Sequence, residues 1–225
     1  MATATRTAAR ASLAGLYVLT PDLDDTDVLV ARVGAAVAGG ATAVQYRHKR
    51  AAPALRLHQA RLLRELCAAR GVMFIVNDNA DLALAVDAAG VHLGRDDMSV
   101  SAARARLGRA AIIGVSCYDS LDRAAEAVRG GADYIAFGSF FPSTVKPGAV
   151  RASPALLTAA KARWGVPVVA IGGITAANGP ALIEAGADAV AVITAVFGAG
   201  NVTAAAAAIC DVVAAARARP ARVWT

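Results

Sequence analysis

The sequence predicts an α/β fold, a single-domain (β/α)8 TIM barrel. Short apolar runs alternate with longer amphipathic stretches about eight times, and no linker separates the units. Four junctions share a pattern in which Gly stands past a helix end and an apolar strand follows: AGGATAVQYR, DAAGVHLG, RGGADYIAFG and EAGADAVAVI. A doubly wound open sheet is the alternative, but no GxGxxG motif follows the first predicted strand.

Each predicted strand is a nearly continuous apolar run of strand length. The first run ends at Pro21 and the third breaks into Asn77. In chain order the predicted strands span residues 15–20, 41–47, 73–76, 91–93, 112–117, 134–139, 166–173 and 189–194.

The predicted helices carry apolar side chains on one face, as Leu55, Leu62 and Leu66 do in the second helix. In chain order they span residues 26–38, 53–70, about 82–86, 99–107, 120–129, 154–163, 176–185 and 202–216. The segment AVFGAG after the last strand could begin a further small helix. The barrel is therefore predicted over residues 14–217, with a flexible start at 1–13 and a basic tail at 218–225.

Composition limits the classes of protein to consider. A chain of 225 residues with 57% hydrophobic and 18% charged side chains can bury one large core. No apolar run approaches the roughly 18 residues of a membrane span. Cys67, Cys117 and Cys210 form no CxxC motif, which favours a reducing, cytoplasmic setting. The net charge of +6 lies on predicted helices without interleaved aromatic residues, so we expect neither a nucleic-acid nor a membrane partner.

Two carboxylates follow neighbouring predicted strands, Asp78 after the third and Asp97 after the fourth. Because the carboxyl ends of parallel strands share one edge of the sheet, the two should lie close together, beside Asn77. Such oxygen ligands suit Mg²⁺, which takes one or two carboxylates together with substrate phosphates. The alternative is that both acids are helix N-caps.

Cationic and glycine-rich segments are predicted at the same rim, where barrel enzymes carry their active sites. Gln45, Arg47 and Lys49 alternate along the second strand and should point to one side. Lys146 lies in the loop FFPSTVKPG after the sixth strand. The Gly172–Gly173 pair and the segment after the eighth strand stand where such barrels bind phosphate. This rim predicts a phosphorylated substrate.

The sequence shows no nucleophilic triad. Ser116 and Cys117 have no histidine placed to activate them, and His92 lies in the middle of a strand. We therefore interpret Cys117 and His92 as structural and Ser116 as a hydrogen-bond donor.

At these residues the chain resembles the thiamine-phosphate synthase family, from Gly15 to about Phe197. The family's QLREK-like segment appears as QYRHK, and its NDxxDxALAxxAxGVHLGQxD block as NDNADLALAVDAAGVHLGRDD. Its GVS, FGxxFPTxTKP and VAIGGI segments appear as GVS, FGSFFPSTVKP and VAIGGI.

The resemblance implies a barrel enzyme that joins hydroxymethylpyrimidine pyrophosphate to hydroxyethylthiazole phosphate, or its carboxylate, releasing pyrophosphate. It implies Mg²⁺ on Asp78 and Asp97, and catalytic charge stabilisation by Arg47, Lys49 and Lys146. The residues implied for the pyrimidine pyrophosphate are Gln45, Arg47, Lys49, Asn77, Ser116 and Lys146. Those implied for the thiazole phosphate are Ser143, Gly173, Ile193 and Thr194. The partners that the resemblance implies are small-molecule substrates. It does not decide whether the chain forms a homo-oligomer.

The chain departs from the family pattern at a few positions. Arg95 replaces a usual Gln, His48 a common acid, Ser143 a usual Thr, and Val145 a second Thr. Val145 lacks a hydroxyl beside Lys146, so we expect it to affect affinity for the thiazole phosphate.

Three other functions are alternatives. A thiazole tautomerase of the same superfamily would not need the acids and cations present here. A non-catalytic phosphate-ligand sensor would not need an intact cationic and metal rim. An aldolase would need a strand-end lysine for a Schiff base, whereas Lys146 is in a loop.

Overall fold

The computed structural model describes residues 13–142 and 150–219 as a closed barrel of eight parallel strands. The strands are β1 (Gly15–Leu19), β2 (Ala43–Tyr46), β3 (Met73–Asn77), β4 (Gly90–Leu93), β5 (Ile112–Tyr118), β6 (Tyr134–Phe137), β7 (Val168–Ile171) and β8 (Ala189–Val192). They pair in chain order, and β8 closes on β1 with Val18 opposite Val192. The predicted fold is confirmed.

Helices connect the strands over the outside of the barrel. They are α1 (Thr26–Ala38), α2 (Pro53–Ala69), α3 (Ala80–Ala85), α4 (Val100–Leu107), α5 (Leu121–Arg129), α6 (Pro154–Arg163), α7 (Gly179–Glu184), α8 (Thr194–Phe197) and α9 (Val202–Arg217). Among the helices of the described residues, none is long and apolar enough to cross a membrane.

The core has two layers because successive side chains of a strand point to opposite faces. Along β1, Tyr17 packs inside the barrel with Ile75 and Tyr134. Leu16 and Val18 pack instead between the strands and the surrounding helices. Alternation therefore selects which residues reach the barrel interior, and at the strand ends it selects those that reach the rim.

The structure shortens several predicted strands, since β6 ends at Phe137 and β7 spans only Val168–Ile171. The end of β8 matters most for the site. Strand β8 ends at Val192, and the Ile193 carbonyl accepts hydrogen bonds from the backbone N–H groups of Val196 and Phe197. The chain therefore turns into the short helix α8, and Thr194 begins a helix instead of ending a strand.

The repeated glycine junction needs one correction. A positive φ follows the helix end at Gly40, Gly131 and Gly186, as predicted. At the second junction Asp87 has the positive φ, 51°, and Gly90 lies within β4. A Cβ on Gly90 would lie 1.7 Å from the Ile112 carbonyl oxygen, so glycine is required there by the close approach of β4 and β5.

The two ends of the described chain can be compared with the predicted barrel boundaries, residues 14 and 217. Leu13 is fully buried in the barrel interior, and α9 ends at Arg217. The flexible start and the basic tail remain predictions, because residues 1–12 and 220–225 lie outside the described part of the chain.

Candidate active site

A cavity of about 1000 Å³ opens at the carboxyl ends of the strands. Residues at or just beyond the end of every strand line it, from Leu19 on β1 to Val192 on β8. Its floor includes Tyr17 and Val169 of the inner core. A concave site at this end of a (β/α)8 barrel is where catalytic residues are expected.

Every predicted site residue that the structure describes lines this one cavity. They are Gln45, Arg47, Lys49, Asn77, Asp78, Asp97, Ser116, Gly173, Ile193 and Thr194. Ser143 and Lys146 lie outside the described residues, as does Val145.

Asp78 and Asp97 face each other across the ends of β3 and β4. Burial raises the pKa of Asp78 to about 6, and a hydrogen bond with Asp97 and the charge of Asp97 add to the effect. Lys49 and Asn77 oppose it. The backbone holds Asp78 at a φ of 62°, and its N–H donates to the His92 carbonyl at 2.8 Å.

Neither acid caps a helix. The N-cap of α3 is Asn79, whose side chain accepts from Leu82 N, and the N-cap of α4 is Ser99. One Asp97 oxygen accepts instead from Gly94 N at 2.6 Å. The N-cap alternative is therefore wrong for both residues.

Asp78 and Asp97 supply too few ligands to form a complete metal site from protein side chains alone. Within residues 13–142 and 150–219, no group of three or more His, Cys, Asp or Glu side chains could hold a metal ion. Two close carboxylates beside the Asn77 amide fit Mg²⁺, which keeps several waters and takes its other ligands from substrate phosphates.

The cations after β2 are held by the loop that follows β1. Strand β2 ends at Tyr46, so the predicted alternation stops before Lys49. One Asp22 oxygen accepts from Arg47 Nη1 and from Lys49 N, each at 3.1 Å. The Thr20 hydroxyl accepts from Arg47 N at 2.8 Å and donates to Arg47 O at 2.9 Å. Asp22 was not predicted, and only the fold brings it to this loop.

A line of polar side chains, buried except for the half-buried Ser116, crosses the floor of the cavity. Gln45 Nε2 donates to Tyr17 Oη at 2.8 Å, and Tyr17 Oη lies 3.0 Å from Tyr134 Oη. Tyr134 Oη lies 2.9 Å from His92 Nδ1, and His92 Nε2 lies 2.9 Å from Ser116 Oγ. We call these five side chains the polar chain.

Sequence reasoning missed three members of the polar chain: Tyr17, His92 and Tyr134. The sequence suggests a structural role for His92, yet this side chain lines the cavity and contacts Ser116. Strand alternation was the available signal, because Val91 and Leu93 pack outward and so turn His92 inward.

The end of β5 is irregular. The pairing register with β6 shifts between Ser116 and Tyr118, and Tyr118 has a φ of 56°. The Arg95 guanidinium lies 4.7 Å from the centre of the Tyr118 ring, at the rim of the cavity. Burial raises the pKa of the Cys117 thiol to about 12, so this cysteine is unsuited to act as a nucleophile.

The rim beyond β7 and β8 is formed by a glycine turn and by the start of α8. Gly172 and Gly173 have φ values of 107° and 65°. A Cβ on Gly172 would lie 2.1 Å from Ser139 Oγ, so the loop after β6 packs directly on this turn. Ile193 and Thr194 complete this side of the cavity at the start of α8.

Comparison with known proteins gives a consistent result. The sequence model described as thiamine monophosphate synthase matches residues 16–196. The thiamine-phosphate synthase of Azoarcus sp. (strain BH72) is 56% identical over 83% of this chain and 91% of its own length. That of Thiobacillus denitrificans is 55% identical over 86% of this chain and 92% of its own.

The chain belongs to the thiamine-phosphate synthase family. Members of this family are transferases, and the match covers all eight strands except the first residue of β1. The resemblance drawn from the motifs of the sequence is confirmed.

Solved structures agree with the family assignment. The thiamine phosphate pyrophosphorylase of Pyrococcus furiosus superposes with a TM-score of 0.83 at 38% identity, over 92% of this chain and 98% of that one. A 3-hexulose-6-phosphate synthase superposes with a TM-score of 0.63 at 19% identity, over 88% and 99% of the two chains. The second likeness shows the shared barrel alone.

Proposed function

We propose that this member of the thiamine-phosphate synthase family joins hydroxymethylpyrimidine pyrophosphate to hydroxyethylthiazole phosphate, or its carboxylate. The products are thiamine phosphate and pyrophosphate. The observation that carries the proposal is one cavity that combines a close carboxylate pair with the cations Arg47 and Lys49, in a chain 56% identical to a thiamine-phosphate synthase.

The pyrophosphate group would bind on the side of the cavity formed after β2, β3 and β4. Arg47 and Lys49 supply positive charge there, and Asp22 holds the loop that presents them. Lys146, from the loop after β6, is proposed to add a third cation. Fixed charges aimed at a leaving group stabilise the negative charge that grows on it in the transition state.

Asp78 and Asp97 are proposed to hold Mg²⁺. The raised pKa of Asp78 reflects first the burial of its carboxylate and then the nearby Asp97, and a cation bound between the two acids offsets both costs. When bound, the ion neutralises charge on the pyrophosphate and so makes it a better leaving group.

The remaining site residues divide between the two substrates. Gln45, Asn77 and Ser116 are proposed to bind the pyrimidine pyrophosphate. Gly173, Ile193 and Thr194, together with Ser143, are proposed to bind the thiazole phosphate. Support comes from the barrel architecture, in which the loops after strands seven and eight are the common phosphate site.

The chemistry needs no catalytic base. The bond between the methylene carbon and the pyrophosphate oxygen breaks, and its electron pair leaves with pyrophosphate. The aminopyrimidine ring bears the resulting positive charge, and the lone pair of the thiazole nitrogen forms the new carbon–nitrogen bond. Positioning therefore contributes more than proton transfer, which agrees with the unreactive Cys117 thiol.

Pyrophosphate release tests the proposal. Purified protein with Mg²⁺ receives each substrate alone and then both together, and we expect release only with both. Arg47→Met should lower kcat/KM by about a hundredfold or more, whereas Arg61→Met, on the exposed face of α2, should not change it. Absence of release in folded protein would overturn the proposed function.

A further inference from the structure

The polar chain has a direction that its hydrogen bonds determine. Gln45 Nε2 can only donate, so Tyr17 Oη accepts from it. The Tyr17 hydroxyl proton is then available for Tyr134 Oη, and the Tyr134 proton for His92 Nδ1. In the neutral imidazole the remaining proton lies on Nε2, which donates to Ser116 Oγ.

The opposite assignment at His92 is inconsistent with the rest of the polar chain. A proton on Nδ1 would donate to Tyr134, and the Tyr134 hydroxyl would then donate to Tyr17. The Tyr17 proton would have no acceptor in the chain, because Gln45 presents N–H to it. Burial holds the pKa values of Tyr17 and Tyr134 well above the ordinary value, so both hydroxyls keep their protons.

Both ends of the polar chain reach the cavity with complementary hydrogen-bonding groups. Gln45 Oε1 is buried without a hydrogen-bond partner, in a residue that is 2% exposed and lines the cavity. An unpaired buried acceptor is costly, so this atom calls for a ligand donor. At the other end Ser116 Oγ accepts from His92, which leaves its own proton available to a ligand acceptor.

We propose that Tyr17, Tyr134 and His92 are positioning residues that fix Gln45 as an acceptor and Ser116 as a donor, and thereby select an aminopyrimidine over its oxo analogue. An amino group donates and an unprotonated ring nitrogen accepts, which matches Gln45 and Ser116. The oxo analogue reverses both roles. This inference rests on the proposed function and specifies how that site recognises one substrate.

Accepting the oxo analogue would require every member of the polar chain to change together. The Gln45 amide would turn over, both tyrosine protons would reverse, and His92 would change tautomer. A partial change leaves a buried donor facing a donor, or an acceptor facing an acceptor. Sites built this way discriminate strongly, because the wrong ligand leaves buried polar groups unpaired.

The packing around Tyr134 keeps its hydroxyl in place. Its ring stacks on His92 at 5.5 Å between centres and meets the Tyr17 ring edge-on at 6.2 Å. A Cβ on Gly114 would lie 2.4 Å from Tyr134 Oη, so the side chain enters the space that this glycine leaves. The ring can therefore stay in place when the hydroxyl alone is removed.

Tyr134→Phe is the decisive variant, and Tyr46→Phe is its matched control. The Tyr46 hydroxyl is also buried, but it donates to Gln59 between β2 and α2. The first measurement is ¹⁵N NMR of the histidines, with His48 and His58 assigned by their own substitution. We expect His92 to carry its proton on Nε2 in the wild-type protein and in Tyr46→Phe. In Tyr134→Phe we expect a mixture of tautomers.

The second measurement is binding selectivity, which needs no turnover. Affinities of the hydroxymethyl aminopyrimidine and its oxo analogue are measured by calorimetry for all three proteins. Tyr134→Phe should lower the amino-to-oxo affinity ratio by about tenfold or more. Tyr46→Phe should keep the wild-type ratio, and both variants should keep the wild-type affinity for inorganic pyrophosphate.

The outcomes separate the inference from the proposed function. A wild-type His92 protonated on Nδ1, or an unchanged selectivity ratio in Tyr134→Phe, would overturn the inference even where pyrophosphate release proceeds. Binding of neither pyrimidine would overturn the inference together with the proposed function. A shifted ratio with a shifted tautomer would support the inference, because loss of packing alone changes neither preference.

Discussion

At the scale of single residues, the carboxyl of Asp78 has a clearly raised pKa in the cavity. Its pKa rises from an ordinary 3.8 to about 6, chiefly through burial and then through Asp97. Between these values the folded protein binds more protons than the unfolded chain. The free energy of unfolding therefore falls as pH rises through this window. The contribution of the protonated Asp78 carboxyl to stability is lost above about pH 6.

Asp78→Asn should remove this pH dependence. Asn tolerates the positive φ of the site and carries no charge, so it retains the backbone while removing both the burial of a charge and the repulsion by Asp97. In buffer free of divalent cations, we expect the variant to have a higher Tm than the wild type above pH 6 and no advantage near pH 4. Thermal unfolding followed across this range measures the difference.

The control is Asp81→Asn, which removes an acid from the surface of α3, where it pairs with Arg106. We expect no rise in Tm from this change, because exposed ion pairs contribute about 1 kcal/mol or less. A Tm difference for Asp78→Asn that is the same at pH 4 and pH 8 would show that the charge of the partly buried Asp78 carboxylate is not its cause.

At this scale the sequence predicted acids and cations better than uncharged polar residues. Asp78 and Asp97 stand out because they lie in the short polar segments where apolar runs break off. Tyr17 and Tyr134 do not stand out, because an aromatic residue within a strand is ordinary core composition. Only the closed barrel brings their hydroxyls to within 3.0 Å across 117 residues of chain.

At the scale of elements, two junctions with the sequence GAD use an aspartate to tie a helix to two strands. Asp133, before β6, accepts from Ile113 N at 2.9 Å and from Arg104 of α4 at 2.5 Å. Asp188, before β8, accepts from Val168 N at 2.8 Å and from Lys161 of α6 at 2.6 Å. We call each of these aspartates, with its two donors, a clamp. The two clamps differ mainly in burial, since the Asp133 side chain is 0% exposed and that of Asp188 is 29% exposed.

Replacing each of these acids by alanine should lower the free energy of unfolding by a different amount in the two clamps. Asp133→Ala leaves a buried N–H and the Arg104 charge without this acceptor, so we expect a loss of about 3 kcal/mol. The Asp188 and Lys161 side chains are already partly solvated, so Asp188→Ala should cost about 1 kcal/mol. Urea unfolding measures both values.

Both clamps lie at the amino ends of the strands, away from the cavity, so pyrophosphate release at low temperature serves as the control. We expect folded Asp133→Ala and Asp188→Ala to keep wild-type release. Equal losses of stability in the two variants would contradict the role given to burial.

The sequence located helices and strands well but not every strand end, as β2, β6, β7 and β8 show. The pattern predicted that the second strand would run to Arg47, whereas β2 ends at Tyr46 and Asp22 organises the loop that follows. A contact between residues 22 and 49 depends on how β1 and β2 pair, which local pattern does not contain.

At the scale of the whole molecule, barrel closure depends on close backbone approaches that only glycine permits. Gly90 on β4 is the clearest case, because an added Cβ would meet the carbonyl of Ile112 on β5 at 1.7 Å. Neighbouring strands would have to move apart to accept it, and a closed barrel transmits that movement around the ring.

Gly90→Ala should therefore lower the free energy of unfolding by about 2 kcal/mol or more, as overpacking in a rigid core does. Gly165→Ala is the control, since nothing lies within 4 Å of its added Cβ. We expect that change to stay within about 0.5 kcal/mol of wild type. A Gly90→Ala variant as stable as the control would show that β4 and β5 can separate at little cost.

The sequence by itself determined the barrel, the order of its elements and the family. These follow from local patterns: apolar runs of strand length, helical periodicity, and motifs read along a single stretch of chain. The placement of Asp78 and Asp97 at one edge also followed, because adjacent parallel strands end side by side.

Tertiary structure alone decided how distant side chains meet. It placed Asp22 on the Arg47 and Lys49 loop, joined Gln45 to Ser116 through Tyr17, Tyr134 and His92, and put a close contact at Gly90. The physical reason is that hydrogen bonds and steric contacts act over about 3 Å. Which residues come within that range depends on strand register and barrel closure, and not on the residues near them in sequence.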